Sequence, residues 1–127
     1  MSCSHNISSL KEESVYVEKI KVYKLISMYT YIDITISIDD YKVFGKSAIN
    51  DYWANCQIDG DLISLDMIKT TRKTDNAEKR RIEGDYLSIL QTARAFKIED
   101  NKLIIYTTFI DEPLIYEEFG EIEKPQF

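Results

Sequence analysis

The clearest pattern in the sequence is an alternation of apolar and polar residues with a period of two. Isoleucine occupies every second position from Ile32 to Ile38, and a second alternation runs from Tyr52 to Ile58. This period is typical of a β-strand that buries one face. Both segments are therefore predicted to be strands of a sheet that covers a core.

Turn-forming residues divide the apolar segments into hairpins. Asp39-Asp40, Asp59-Gly60 and Glu99-Asp100-Asn101 stand between segments of strand character, and such residues favour tight turns. The segment 15–26 is β-branched and aromatic, with a break or bulge in its alternation after Val17. The predicted strands cover residues 15–26, 32–38, 41–46, 52–58, 62–68, 96–98, 103–109 and 114–118.

The period changes to that of a helix after Thr74. Asp75 and Glu78 resemble a capping box, and Ile82, Tyr86, Leu90 and Ala93 recur at helical spacing; this predicts one amphipathic helix over 76–94. With a single helix, parallel crossovers cannot dominate. The predicted fold is α+β, a curved, mostly antiparallel sheet of about 7–8 strands that curls around the helix or closes toward a barrel.

The 127 residues suit one domain, predicted over 15–119 between a flexible polar leader at 1–14 and a frayed C-terminal tail at 120–127. A net charge of −6 disfavours nucleic acid as a partner. No apolar run is long enough for a transmembrane helix. We expect a monomer without a cofactor or metal, since the only histidine, His5, lies in the predicted leader.

The leader contains one of the two cysteines, Cys3, followed by a polar, serine-rich stretch. This arrangement resembles a bacterial lipoprotein after its signal peptide, in which Cys3 would carry the lipid. The protein would then lie in the cell envelope, in the periplasm or on the outer surface. If Cys3 is not a processed lipobox cysteine, the pattern fits an ordinary cytoplasmic N-terminus.

Three blocks of sequence resemble the META/HslJ-like domain family. They are the strand and turn at 43–50, the segment 68–73 that ends in Thr-Arg-Lys before the helix, and a helix motif at 83–90. Many members carry a cysteine pair where this chain has Ile49 and Asp75, so no counterpart disulfide is expected. The matching motif positions are Gly45, Asn50, Thr71, Glu83, Leu87 and Leu90.

The resemblance implies a curved antiparallel sheet with one packed helix, found often in bacterial envelope proteins and sometimes linked to stress tolerance or virulence. It implies no catalytic activity. Carboxylate pairs occur at Asp39-Asp40, Asp59/Asp61 and Glu117-Glu118, but acidic residues in turns and on strand edges are usually solvated. A carboxylate-dependent hydrolase is therefore the last-ranked alternative, and the chain is predicted not to be an enzyme.

Two surfaces are candidate contact sites. The first is a basic cluster around the start of the helix that suits an anionic partner, although such a run is more often a solvated face. The second is a groove on the strand face of Trp53, Asn55 and Gln57. The basic cluster consists of Lys69, Arg72, Lys73, Lys79, Arg80 and Arg81.

Two functions remain open at this point. The first is a non-enzymatic envelope lipoprotein with a stress- or envelope-related role that acts through protein or lipid contacts. The second is a soluble binding module that holds a hydrophobic ligand or peptide in the concave side of the sheet near Trp53, since the mouths of barrels are common binding sites.

Overall fold

The computed structural model describes residues 18–125. This part of the chain forms antiparallel strands and one helix, in the order that the sequence patterns indicate. The strands are β1 (Lys19–Leu25), β2 (Thr35–Ile38), β3 (Lys42–Lys46), β4 (Asp51–Asp59), β5 (Leu62–Leu65), β6 (Lys69–Thr70), β7 (Ala93–Glu99), β8 (Lys102–Thr107) and β9 (Leu114–Glu123), and the helix α1 is Ala77–Leu90.

Eight of the strands close into a barrel, as the curled-sheet prediction allowed. The order around the barrel is β3-β2-β1-β9-β8-β7-β5-β4, and β4 pairs back onto β3 to complete it. The short strand β6 pairs with the first half of β4, beside the barrel wall. Every pairing is antiparallel, so the α+β prediction with a mostly antiparallel sheet is confirmed.

The inward side chains of the strands form one apolar core. On β4, the inward row is Tyr52, Ala54 and Cys56, all buried, which lie on one face as their alternation predicted. From α1, Ile82 and Tyr86 join the same core. The helix therefore closes the end of the barrel that carries the β3–β4 loop, and its apolar face fills the interior there.

The helix begins and ends at positions that differ from the prediction. Its N-cap is Asn76, whose side chain accepts a hydrogen bond from the backbone N–H of Lys79 at 2.9 Å, so the cap is not Asp75. The helix ends at Leu90 rather than Arg94, and Ala93 already belongs to β7. Ala93 satisfied the helical spacing, but pairing of β7 with β8 decides its conformation.

Other predicted boundaries also shift. The predicted tail at 120–127 is wrong for residues 120–123, which pair with β1 as the last part of β9; β1 supplies partners that local sequence does not reveal. The predicted strand 62–68 ends at Leu65, and the strand predicted from Ile32 begins at Thr35. The predicted leader at 1–14, with Cys3 and His5, lies outside the described residues.

Candidate functional site

Trp53, the center of the predicted groove, lies on the outer face of the barrel. It alternates along β4 with the inward residues Tyr52 and Ala54, and it is only partly buried. The concave side of the sheet is filled by the apolar core at this level. The prediction of a ligand in the concavity near Trp53 is therefore wrong in its location, because the interior row of β4 takes that space.

The outer surface beside Trp53 forms a shallow groove of about 360 Å³, called here the outer groove. Val22 of β1, Ile122 of β9 and Pro125 line it together with Trp53, and Lys46 and Asp51 are its charged members. On its other side, Trp53 borders a second depression with Met67 and Lys69. Apolar surface thus lies mainly on the outer-groove side of the indole ring, and Met67 is the large apolar side chain on the other side.

The remaining predicted groove residues are separated from each other. Asn55 shares the depression of Met67 and accepts a hydrogen bond from Lys42 Nζ at 2.7 Å. Gln57 lies farther along β4, where its side chain accepts a hydrogen bond from the Ser64 hydroxyl at 3.0 Å. The outer groove therefore includes Trp53 but not the whole predicted row.

The predicted basic cluster is partly neutralised by neighbouring acidic residues. Lys79 lies 3.6 Å from Asp75, and Arg81 lies 3.5 Å from Asp85, each one helical turn away. The Arg80 guanidinium donates to the Asp75 carbonyl oxygen. The backbone N–H of Lys73 donates a hydrogen bond to the Asn50 side chain, and the Arg72 side chain is exposed. Lys69 of β6 pairs with Trp53 of β4. The structure thus links Lys69 to the Trp53 surface and leaves the rest at the helix start.

The motif residues Asn50 and Glu83 form a polar cluster that ties α1 to the β3–β4 loop. One Glu83 oxygen accepts hydrogen bonds from the Ser47 hydroxyl and from the backbone N–H groups of Ile49 and Asn50 at 2.8–3.0 Å. The other oxygen accepts from Asn50 Nδ2 at 2.8 Å. Burial raises the pKa of Glu83, but these hydrogen bonds outweigh it and hold the pKa below its ordinary value.

Asn50 also connects the loop to the segment before the helix. Its side-chain oxygen accepts from the Thr71 hydroxyl at 2.8 Å and from the backbone N–H of Lys73 at 2.6 Å. Its amide nitrogen donates to the Lys73 carbonyl oxygen at 3.2 Å. The motif positions Asn50, Thr71 and Glu83 thus act in one structural network, while Leu87 and Leu90 pack against or within the core.

The motif glycine, Gly45, is required by a close backbone approach. A Cβ atom at this position would lie 2.1 Å from the carbonyl oxygen of Thr35 on the neighbouring strand. That same carbonyl accepts a hydrogen bond from the Tyr52 hydroxyl at 2.8 Å. Gly45 therefore allows β3 to approach β2 closely at the point where the Tyr52 hydroxyl bonds to the Thr35 carbonyl oxygen.

Three buried tyrosines form a chain of hydroxyl groups that the sequence did not reveal. The Tyr86 hydroxyl lies 2.9 Å from that of Tyr52 and 2.9 Å from that of Tyr116. Because Tyr52 donates to Thr35, the chain runs from Tyr116 through Tyr86 to Tyr52. Burial raises the pKa of all three well above its usual range, so each stays protonated. Only the tertiary fold brings them together, since they come from three separate elements.

Cys56 is a free, buried thiol on the inward row of β4. Burial, with smaller contributions from Asp39 and Asp66, raises the pKa of this thiol to about 11. A thiol with this pKa is almost entirely protonated at neutral pH and is a poor nucleophile. The interpretation of Cys56 as a small buried apolar residue agrees with this environment.

The predicted carboxylate pairs are placed at one end of the barrel. Asp39 forms an ion pair with Lys124 at 3.3 Å, and Glu117 forms one with Lys102 at 3.4 Å. Asp59 and Asp61 flank the exposed β4–β5 turn.

No group of three or more potential metal-ligating side chains occurs between residues 18 and 125. Within the same range, no helix has the length and apolarity needed to cross a membrane.

Several solved structures of other proteins have similar folds. An NMR structure of a protein from Burkholderia xenovorans has a TM-score of 0.58 at 14% identity, covering 81% of each chain. A second NMR structure has a TM-score of 0.56 at 14% identity, covering 76% of this chain and 87% of the other. The crystal structure of a DUF4847 family protein from Bacteroides vulgatus has a TM-score of 0.51 at 9% identity, covering 84% and 96%.

At these identities the likeness to solved structures shows the fold alone. A search of curated proteins finds no significant match. The family model of the META domain, however, matches residues 16–115, which is most of the chain. This range contains the three motif blocks, the polar cluster of Asn50 and Glu83, and Gly45. The chain belongs to the META domain family.

Proposed function

We propose that this META-domain chain is a non-enzymatic protein, anchored in the cell envelope through a lipid on Cys3, with a stress- or envelope-related role. It acts by holding a protein or lipid partner against its outer face around Trp53. The observation that carries the proposal is the outward position of Trp53 between the apolar outer groove and a more polar depression that contains Met67, on a barrel whose interior at that level is filled.

The buried titratable groups support a non-enzymatic role. The Glu83 carboxylate accepts hydrogen bonds from the β3–β4 loop, and the tyrosine hydroxyls bond to one another. The thiol of Cys56 is held protonated by burial. A general base or nucleophile needs a pKa near the working pH and room for a substrate. These groups serve the fold instead.

The outer groove supports a contact role. Tryptophan carries a large apolar surface with one polar N–H, and it is enriched at protein interfaces and at membrane surfaces. Trp53 is flanked by Val22 and Ile122 on one side and by Met67, which is 76% exposed, on the other. Covering this strip with a partner would remove apolar surface from water.

A lipid on Cys3 is compatible with this use of the outer face. The fifteen peptide steps from Cys3 to Glu18 can span at most about 50 Å in an extended chain. A single acyl chain binds a membrane only marginally, so further contacts would add to its retention.

The anchor is tested by expressing the gene from its own locus with all upstream codons. The wild-type protein should incorporate radiolabelled palmitate and sediment with membranes, and the Cys3→Ser variant should do neither. His5→Ser is the matched control, since it changes the same segment and should retain the label. An unlabelled wild-type protein in the cytosol, with Met1 intact, would contradict the envelope part of the proposal.

The contact surface is tested with the single tryptophan as a reporter. When vesicles or an envelope extract supply the partner, Trp53 emission should shift to shorter wavelength and acrylamide quenching should fall. Trp53→Ala should weaken co-sedimentation with the same vesicles or extract at least tenfold. Tyr41→Ala, at an aromatic residue that is 76% exposed elsewhere, should leave it unchanged. Equal effects of both substitutions would refute the role of Trp53.

A further inference from the structure

The end of the barrel opposite α1 is an open pocket of about 310 Å³, called here the mouth pocket. Its floor is apolar and consists of Tyr23, Ile38 and Leu103, with Ile98 at one side. Ile98 pairs with the fully buried Leu103 and shares its inward row, yet it is 57% exposed. The helix fills the other end of the barrel, and the described residues leave this end uncovered.

The rim of the mouth pocket carries charges of both signs. Lys19 and Lys21 continue the inward row of β1 beyond Tyr23, and Asp39 and Asp40 follow the end of β2. The basic residues thus stand on β1, and two of the acidic residues follow β2. A third acidic residue, Glu18, lines the pocket directly before β1 and forms an ion pair with Lys124 at 3.6 Å. A ligand that crosses the pocket meets a positive edge and a negative edge.

Some of these charges already have partners. Lys21 forms an ion pair with Glu118 at 3.4 Å, and Asp39 forms one with Lys124 at 3.3 Å. Within residues 18–125, Lys19 and Asp40 form no ion pair. One cation and one anion at the rim therefore remain available to a ligand.

We infer that the mouth pocket binds a small hydrophobic zwitterion, namely a free amino acid with an apolar side chain. The side chain packs on Tyr23, Ile38 and Ile98, the carboxylate faces Lys19, and the ammonium group faces Asp40. This site is separate from the Trp53 surface, and the inference does not depend on the contact role proposed above.

The size and charge of the pocket favour this ligand class over others. Ligand pockets span roughly 300–1,000 Å³, so the mouth pocket is at the small end of the range. A fatty acid would carry only a negative charge past Asp39 and Asp40, and like charges in a partly desolvated site are unfavourable. A zwitterion satisfies both edges, and its apolar side chain covers the exposed part of Ile98.

The test is isothermal titration of the full chain with L-leucine, glycine and 4-methylpentanoate. L-Leucine should bind saturably with a Kd of about 1 mM or lower, which corresponds to roughly −4 kcal/mol. Glycine lacks the apolar side chain and 4-methylpentanoate lacks the ammonium group. Each should therefore bind at least tenfold more weakly than L-leucine.

Two matched pairs of variants locate the site. Asp40→Asn should weaken L-leucine binding five- to tenfold and should strengthen the weak binding of 4-methylpentanoate, because it removes a negative charge from the rim. Asp61→Asn, at an exposed turn residue of the same end, should change neither. Ile98→Ser should weaken L-leucine binding, whereas Leu62→Ser should not, although both side chains are 57% exposed. Circular dichroism confirms that each variant is folded.

Three results would overturn the inference. The first is an absence of saturable L-leucine binding to the full chain, including the case in which the residues before Glu18 cover the pocket. The second is equal affinity for L-leucine and glycine. The third is an equal loss of affinity in Asp40→Asn and Asp61→Asn, which would show that charge in general, and not the rim, determines binding.

Discussion

Removing the Glu83 carboxylate should cost more stability than the loss of any exposed acidic residue. In Glu83→Ala, the backbone N–H groups of Ile49 and Asn50 lose their acceptor. A buried donor without a partner costs about 1–3 kcal/mol, and water can reach part of this site. The Ser47 hydroxyl keeps a bond to the Asn50 carbonyl oxygen at 3.0 Å. We therefore expect a loss of about 3 kcal/mol in the free energy of unfolding.

The assay is urea unfolding followed by the emission of Trp53. Glu83→Ala should lower the midpoint without changing the slope of the transition, since the exposed area on unfolding is similar. Glu78→Ala is the control; Glu78 is exposed in the first turn of α1 and should cost only about 0.5 kcal/mol through the helix dipole. A Glu83→Ala protein within 1 kcal/mol of the wild type would refute the reasoning that this cluster fixes the helix to the barrel.

The same cluster predicts a pH dependence. Because the folded pKa of Glu83 lies below its ordinary value, the ionised carboxylate stabilises the fold at pH values above the unfolded pKa, which is near 4.3. This stabilisation is lost as the pH falls through the folded pKa. Between pH 6 and pH 3, the wild type should therefore lose more stability than Glu83→Gln, measured by urea midpoints at each pH. Parallel curves for the two proteins would contradict the role of the charge.

Four further substitutions test the packing, each by urea unfolding. Gly45→Ala should destabilise by 2 kcal/mol or more, roughly the cost of overpacking, because its Cβ meets the Thr35 carbonyl. Gly84→Ala should stabilise by about 1 kcal/mol, because alanine has the higher helix propensity and its Cβ would meet no atom from outside its own turn of the helix within 4 Å. Tyr86→Phe should destabilise by about 1–3 kcal/mol, since it breaks the hydroxyl chain in the middle. Thr107→Val should stabilise by about 1 kcal/mol, because the Thr107 hydroxyl is buried without a partner among the described residues. A change of the opposite sign in any of these would show that its local packing argument fails.

The sequence predicted the elements most accurately where apolar and polar side chains follow a single regular period. The alternation from Tyr52 to Ile58 and the turn at Asp59-Gly60 correspond to β4 and its hairpin with β5. Gly60 adopts a positive φ of 64°, as its place in a tight turn requires. The helical rhythm located α1 but not its end, because Ala93 fits the helical row and the strand equally well.

The candidate site was harder to predict than the fold. The alternation showed that Trp53 and Tyr52 lie on opposite faces, but it did not show which face is inside a closed barrel. That choice depends on the pairing of β4 with β3, β5 and β6. The mouth pocket was missed for a similar reason, since Lys19 and Asp40 line one pocket only after β1 and β2 have paired.

By itself, the sequence determined the kinds of element, their order, the turn positions and the family motifs. These features depend on side-chain periodicity and on the backbone preferences of Gly, Asp and Asn, which act over a few residues. The tertiary structure alone decided the closure of the barrel, the pairing of residues 120–123 with β1, the chain of tyrosine hydroxyls and the two surface pockets. Each of these joins residues that are far apart in the chain, so the contacts exist only after the strands have paired.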